Sequence, residues 1–258
     1  MRAIQSQLLC QNPSRDYPST FRPSNSALKI NGVSSIQRNP YLDAILHMPG
    51  NSGYLGDPTV AGNQSANISD GENCALWIMG LSRFVTHTDL LAAIRGIGKI
   101  YAAVINPPID TIPTSAAKLV FFERSQAERL MQLAVAGEFI VSGKPIYRVR
   151  WNKIKSAPHY YLWESRAIRI TGPSKYMNFD FFENFFQSKF TYELDGRGIV
   201  PCYALGMASH EWHFGSLRCQ AAWAKKAIET ELNQFFTVEW AQDPCAAVDR
   251  FVPEMVYT

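Results

Sequence analysis

Leu76-Trp77-Ile78-Met79-Gly80-Leu81 is an apolar hexamer ending in Gly-Leu. A second hexamer, Ile168-Arg169-Ile170-Thr171-Gly172-Pro173, stands 92 residues further on. At that offset Leu76, Ile78 and Gly80 fall on Ile168, Ile170 and Gly172. It also carries Thr86 onto Asn178, Leu90 onto Phe182, Ile94 onto Phe186 and Phe122 onto Phe214. Val149-Arg150-Trp151 matches Val238-Glu239-Trp240 after a three-residue shortening. Matches that respect every element boundary mark two copies of one module, a repeat sought before any other reading.

The first copy reads cleanly. Cys74–Leu81 is a short apolar run closed by Gly80, as a buried strand would be. Thr86 with Asp89 three positions on signals a capped helix, and Leu90, Leu91 and Ile94 follow at helical spacing. Lys99–Asn106 is a second strand, stopped by Pro107-Pro108, and Ala116–Glu123 a third. Ser125–Ala136 places Ala127, Leu130, Met131 and Ala134 on one helical side, and Lys144–Trp151 is the fourth strand. The order β-α-β-β-α-β is the split βαβ, or ferredoxin-like, plan. The expected fold class is therefore α+β: two ferredoxin-like sandwiches, residues 73–156 and 165–245, joined by a linker over 157–164.

Outside the modules, residues 1–72 are rich in Ser, Asn, Pro and Gly without a sustained period, and are expected to form a disordered arm. Residues 246–258 are a C-terminal tail. With 258 residues and 47% apolar content the chain has enough for packed cores. It holds no apolar run long enough for a membrane helix and no secretory signal at its start. Five cysteines, at 10, 74, 202, 219 and 245, form no CxxC and read as reduced thiols of an intracellular protein. Nucleus or cytoplasm is the expected location. The minor alternative is mitochondrial, because residues 1–42 carry Arg2, Arg15, Arg22, Lys29 and Arg38 against one acid, Asp16.

The first module resembles the RNA recognition motif (RRM). Its hexamer 76–81 is similar to that family's RNP2 pattern of aliphatic, aromatic, aliphatic, any, Asn or Gly, Leu. The resemblance implies four antiparallel strands with two helices on one face and single-stranded RNA on the other, with Trp77 at a stacking position. The whole chain is also similar to fungal proteins with tandem RRM-like modules, through Phe214-Gly215-Ser216 and Arg218-Cys219-Gln220. The family's RNP1 strand carries two aromatics. Here it reads Ser115-Ala116-Ala117-Lys118-Leu119-Val120-Phe121-Phe122. With Phe122 in the last RNP1 position the stacking sites hold Ala117 and Leu119; with Phe121 there they hold Ala116 and Lys118. Alternation leaves both registers open, because the strand is apolar on both phases. In the second copy Arg169 replaces the RNP2 aromatic, and the third strand His210–Phe214 is expected to put Trp212 and Phe214 on the core phase and Glu211 outward. An outward carboxylate repels phosphate, so this copy reads as a structural or protein-binding module.

The net charge of +3 says little as a sum. By module it divides sharply. Residues 73–156 hold eleven Lys and Arg against five Asp and Glu, a net +6, whereas 165–245 hold eight against nine, a net −1. Lys144, Arg148, Arg150, Lys153 and Lys155 form a basic strip interleaved with Tyr147, Trp151, Tyr160, Tyr161 and Trp163. The candidate RNA contacts are thus Trp77, Lys118, Lys144, Arg148, Arg150, Trp151, Lys153 and Lys155. For Trp77 the competing reading is an apolar sheet face covered by a protein partner or by the other module. For Trp151 it is the module core.

Catalytic motifs are missing: there is no G-x-S-x-G, P-loop or H-E-x-x-H. Cys202, His210, His213 and Cys219 are metal-ligand types, but C-x7-H-x2-H-x5-C fits no common finger and the two histidines fall on opposite strand phases. No metal or cofactor is expected. Asp195-Gly196-Arg197-Gly198 reads as a turn, and Phe179–Phe190 as the core face of a helix. These features together point to a non-catalytic protein that binds single-stranded RNA through its first module. The alternative is a scaffold whose sheet faces bind proteins.

Overall fold

A computed structural model describes residues 64–109 and 111–246. The expected arm lies outside the described residues except for 64–72, where Asp70–Glu72 makes one 3-10 turn. The expected tail lies outside them except for Ala246.

The first module begins with β1 (Ala75–Leu81) and α1 (His87–Ala92). The capping box read from the sequence is present: Asp89 N donates to Thr86 Oγ1 at 3.1 Å, and Thr86 N to Asp89 Oδ2 at 2.9 Å. Next come β2 (Ile100–Asn106), β3 (Ser115–Phe121) and α2 (Arg124–Ala136), which Gly137 ends with φ +76°. The expected fourth strand, 144–151, is broken. Lys144–Pro145 (β5) pairs instead with Ile140–Val141 (β4) in a small hairpin, and only Val149–Trp151 (β6) joins the main sheet. Pro145 explains the break, since it cannot donate to a ladder.

The second module repeats the plan with β7 (Ala167–Pro173), α3 (Phe179–Gln187), β8 (Leu194–Val200), β9 (Met207–Phe214), α4 (Ala222–Glu231) and β10 (Thr237–Trp240). The sheets run β2-β3-β1-β6 and β10-β7-β9-β8, with every pairing antiparallel. Both have the strand order of the ferredoxin-like sandwich, so the chain is α+β with two such units. Asn178 caps α3 as Thr86 caps α1, its Oδ1 accepting from Asp180 N at 2.8 Å.

Two sequence readings change here. Asp195–Gly198 is part of β8, not a turn, with Asp195 buried at a bulge. In the third strands the repeat is out by one. Phe121 N donates to Cys74 O and Phe214 N to Arg166 O, so Phe121, not Phe122, is the twin of Phe214. Phe122 turns the other way and joins the second module's core.

Alternation sorts each strand. Leu76, Ile78, Leu81, Ala117, Leu119 and Phe121 face the helices with Leu90, Leu91, Ile94 and Leu130. The second core gathers Ile168, Ile170, Phe182, Phe186, Trp212 and Phe214. Each such large side chain contributes about 1.5–3 kcal/mol by leaving water. The cores also exchange members, since Cys245, beyond β10, packs into the first as Phe122 does into the second. The thiol expectation holds for Cys74, Cys202 and Cys245, which are free, whereas Cys219 is disulfide-bonded.

The modules meet along the outer edge of β2. Gly98 N donates to Cys245 O at 2.8 Å, Ile100 N to Asp243 Oδ2 at 2.8 Å and Ala103 N to Ser216 Oγ at 2.9 Å. An edge that would otherwise offer bare amides to another chain is thus paired within the protein. The 157–164 segment is held too. His159 N donates to Phe122 O at 2.8 Å, and its ring packs 4.9 Å from Tyr101 and 4.8 Å from Phe122.

Candidate nucleic-acid interface

Pairing of β1 with β3 settles the register left open by the sequence. Trp77 stands opposite Lys118 and Met79 opposite Ala116. Ala116 and Lys118 therefore occupy the outward, RNP1-like positions, and neither is aromatic. On the other side of β1, Trp77 pairs with Arg150 of β6. Beyond Lys118 the next residue in the row is Val104 of β2. One row across the open sheet thus reads Arg150, Trp77, Lys118, Val104, with Trp77 half-buried and Arg150 exposed. The ring has a cation on each flank, an arrangement that pairs base stacking with phosphate neutralisation.

The row towards the start of β1 is closed. Cys74, Ala75 and Val120 are buried beside Tyr101 and Ala102. Here Asn73 ties the chain after β6 in place: its Oδ1 accepts from Ser156 N at 3.1 Å and from Ala75 N at 3.0 Å. The usable face is therefore the half around Trp77, Met79, Ala116 and Lys118. Burial, reinforced by the like charge of Arg218, pushes the Lys118 amine down to about 8.

The remaining candidates are dispersed. Trp151 pairs with Leu76 and packs on the helix side, where the Arg124 guanidinium lies 3.6 Å from its ring centre. It does not share a face with Trp77, and the reading that puts it in the core is the one the geometry favours. Lys155 is bonded to Asp70 at 2.8 Å and to Ile68 O at 2.9 Å. Arg148 is exposed and its carbonyl accepts from Met79 N at 2.9 Å, which sets it at the rim of the row. Lys144 lies exposed in the β4–β5 hairpin and Lys153 is exposed after β6. In the linker Tyr160 and Trp163 are exposed, and Trp163 packs 5.0 Å from Tyr161.

The second module inverts this chemistry at the same place. Arg169 occupies the Trp77 position and pairs with Glu211 and Glu239, the positions of Lys118 and Arg150. Its guanidinium reaches Glu211 at 2.6 Å and Glu239 at 3.4 Å. The bond to Glu211 raises the Arg169 pKa. That face is internally neutralised and carries no stacking ring in this row. His210 stacks on Phe179 at 4.1 Å on the helix side, while His213 bonds Glu211 at 3.2 Å on the other, so the two cannot share a metal.

No protein-family model matches the chain, and no curated protein matches it. Among solved structures it is similar to the Sex-lethal RNA recognition domains 1 and 2 from Drosophila melanogaster, at 17% identity over 66% of this chain and 100% of that one, with a TM-score of 0.26. It is also similar to the first two RRM domains of the yeast poly(U) binding protein, at 13% identity over 66% and 99%, with a TM-score of 0.27. A third is the N-terminal three RNA binding domains of the yeast splicing factor Prp24, at 12% identity over 70% and 75%, with a TM-score of 0.26. Both modules have the ferredoxin-like βαββαβ fold by their own strand order and pairing. No helix among the described residues is long and apolar enough to cross a membrane.

Proposed function

We propose that this protein binds single-stranded RNA, without catalysing a reaction, through the open face of its first module. The observation that carries the reading is the Arg150–Trp77–Lys118 row, set against the neutralised Glu239–Arg169–Glu211 row of the twin. Trp77 stacks one base. Arg150 and Lys118 neutralise phosphates on either side, and Arg148 and Lys153 extend the positive rim. With one aromatic platform on that row, the affinity is modest, salt-sensitive and indifferent to sequence. Titrating a labelled, unstructured single-stranded RNA with the full chain at low salt tests this. Saturable binding that weakens as salt rises is expected; no saturation overturns it.

A second reading gives the face to a protein segment. Its support is the apolar half of the surface, where Met79, Ala116 and Val104 stand beside Trp77, with Val104 41% exposed. Binding of this kind depends little on salt, and the same titration separates the two.

A further inference from the structure

A second row crosses the open sheet of the first module beside the Arg150–Trp77–Lys118 row. Met79 of β1 stands opposite Ala116 of β3, and Ala116 opposite Asn106 of β2. On the other side Met79 N donates to Arg148 O at 2.9 Å. The row therefore runs Arg148, Met79, Ala116, Asn106. Alternation puts Asn106 on the open face, because Val104 two residues before it is exposed there and Ile105 between them packs on the core. Along β3, Ala116 is the next outward residue after Lys118, so the two rows are neighbours.

Asn106 is the last residue of β2 and precedes Pro107-Pro108, a place where an asparagine ordinarily serves the turn. Here the turn is closed without it. Ile109 and Ile112 tie the β2–β3 connection, each donating its N–H to the other's carbonyl, at 3.1 and 2.9 Å. Other asparagines of this protein are spent on backbone groups. Asn73 Oδ1 accepts from Ala75 N and Ser156 N, Asn152 Oδ1 from Ile154 N, and Asn178 Oδ1 from Asp180 N. Among the described residues the half-buried Asn106 carboxamide has no such partner. It leaves an amide donor and a carbonyl acceptor unused at the β2 edge of the face.

We propose that Asn106 binds a ribose 2′-hydroxyl of the strand held on this face, so that the face takes RNA in preference to DNA. The inference rests on the RNA reading and deepens it. With a base stacked on Trp77 and a phosphate at Lys118, the sugar joined to that phosphate lies over Ala116. Ala116 offers no ring for a second base, and its methyl group leaves room for a ribose against the sheet. Neighbouring strands stand about 4.8 Å apart, which brings the Asn106 carboxamide beside that ribose. The 2′-hydroxyl is donor and acceptor in one group, and it is what distinguishes RNA from DNA at a given site. A carboxamide answers both roles, whereas an ammonium only donates and a carboxylate only accepts. Reading the sugar, not a base edge, keeps the binding indifferent to sequence.

The experiment titrates the full chain against a short labelled oligouridine and its deoxyuridine counterpart, which match in base and charge. The parent chain is expected to bind the RNA form about 2- to 10-fold more tightly, the worth of one hydrogen bond. Asn106→Ala should abolish that preference by weakening RNA binding alone. Its affinity for the deoxy form and its log–log salt slope should match the parent's, because no charge is removed. Asn106→Gln keeps the carboxamide and should restore part of the preference. Urea unfolding of each variant shows that it is folded. If the parent chain binds both forms equally, or Asn106→Ala leaves their ratio unchanged, the sugar contact is wrong while the RNA reading stands. If Asn106→Ala instead reorders oligouridine, oligocytidine and oligoadenosine at a constant RNA-to-DNA ratio, a base edge is being read and the proposal is overturned. If the parent chain does not bind RNA at low salt, both fall.

Discussion

Arg166 Nε donates to Asp243 Oδ1 at 2.9 Å, and both side chains are wholly enclosed. The pair is part of a longer relay. Arg166 Nη2 holds Asp195 Oδ2 at 2.9 Å, which Arg95 of the first module reaches at 2.6 Å, and Asp243 Oδ2 accepts from Ile100 N of β2. The relay begins and ends on the first module, with Arg166 between. Removing the central cation leaves two carboxylates without their buried partner, so Arg166→Leu should cost ~3–5 kcal/mol. Arg169→Leu removes a half-exposed arginine from a superficially similar pair of glutamates and should cost ~1 kcal/mol or less. Urea unfolding of the two variants checks this, and equal losses would refute it.

Gly80 and Gly172 occupy one repeat position for different reasons. Gly80 has φ +82°, and a Cβ there would meet nothing within 4 Å. At Gly172 a Cβ would lie 2.3 Å from Phe236 Cδ1 and 3.0 Å from Phe235 O. Gly80→Ala should lose about 1–2 kcal/mol through backbone strain alone. Gly172→Ala should lose about 1–3 kcal/mol by displacing a packed ring. The two are separated by adding Phe236→Ala. Its effect should be additive with Gly80→Ala, while the double variant with Gly172→Ala should lose less than the sum.

What the sequence made legible follows from how local each cause is. Thr86 and Asp89 lie three residues apart, so their capping box can be read without knowing the fold. The strands that carry Trp77 and Arg150 were legible because the repeat placed them. The partners of Asp195 were not: Arg166 lies 29 residues earlier and Arg95 in the other module. Without them, Asp-Gly-Arg-Gly looks like a turn. Phe122 misled for a related reason. Third-strand residues are apolar on both phases, and only pairing with β1 shows that Phe122 belongs to the neighbouring core.

Lys118 makes stability depend on pH in a defined direction. Its folded pKa, about 8, lies below the unfolded lysine value near 10.4. Between these values the unfolded chain holds the proton and the folded chain does not, so stability rises as pH climbs through that window. Below about pH 8 this contribution is flat. Urea midpoints of the parent chain and Lys118→Met across pH 7 to 10 should converge at alkaline pH, with the parent less favoured near neutrality. RNA affinity should run the other way, falling as pH passes about 8, because the neutral amine no longer attracts phosphate. Lys118→Met should flatten that fall. A parent chain whose affinity ignores pH over this range would sink the assignment.

Trp77 and Arg169 give the sharpest contrast between the two copies, since each stands at the centre of the same row. Base stacking on one aromatic is worth about 1–3 kcal/mol, so Trp77→Ala should weaken RNA binding by about 5- to 150-fold. Trp77→Phe keeps a ring and should retain most of the affinity. Because salt-dependent contacts remain, the log–log salt slope should be the same for both variants as for the parent. Arg169→Ala should leave affinity unchanged, since its charge is already held by Glu211 and Glu239. Trp151→Phe should lower the unfolding midpoint without altering affinity, because that ring packs on the helix side under Arg124. Anisotropy titrations with one labelled RNA, run beside urea unfolding of each variant, measure all four. Should Trp151→Phe lose affinity while Trp77→Ala keeps it, the stacking platform would lie on the helix side of the sheet, under Arg124.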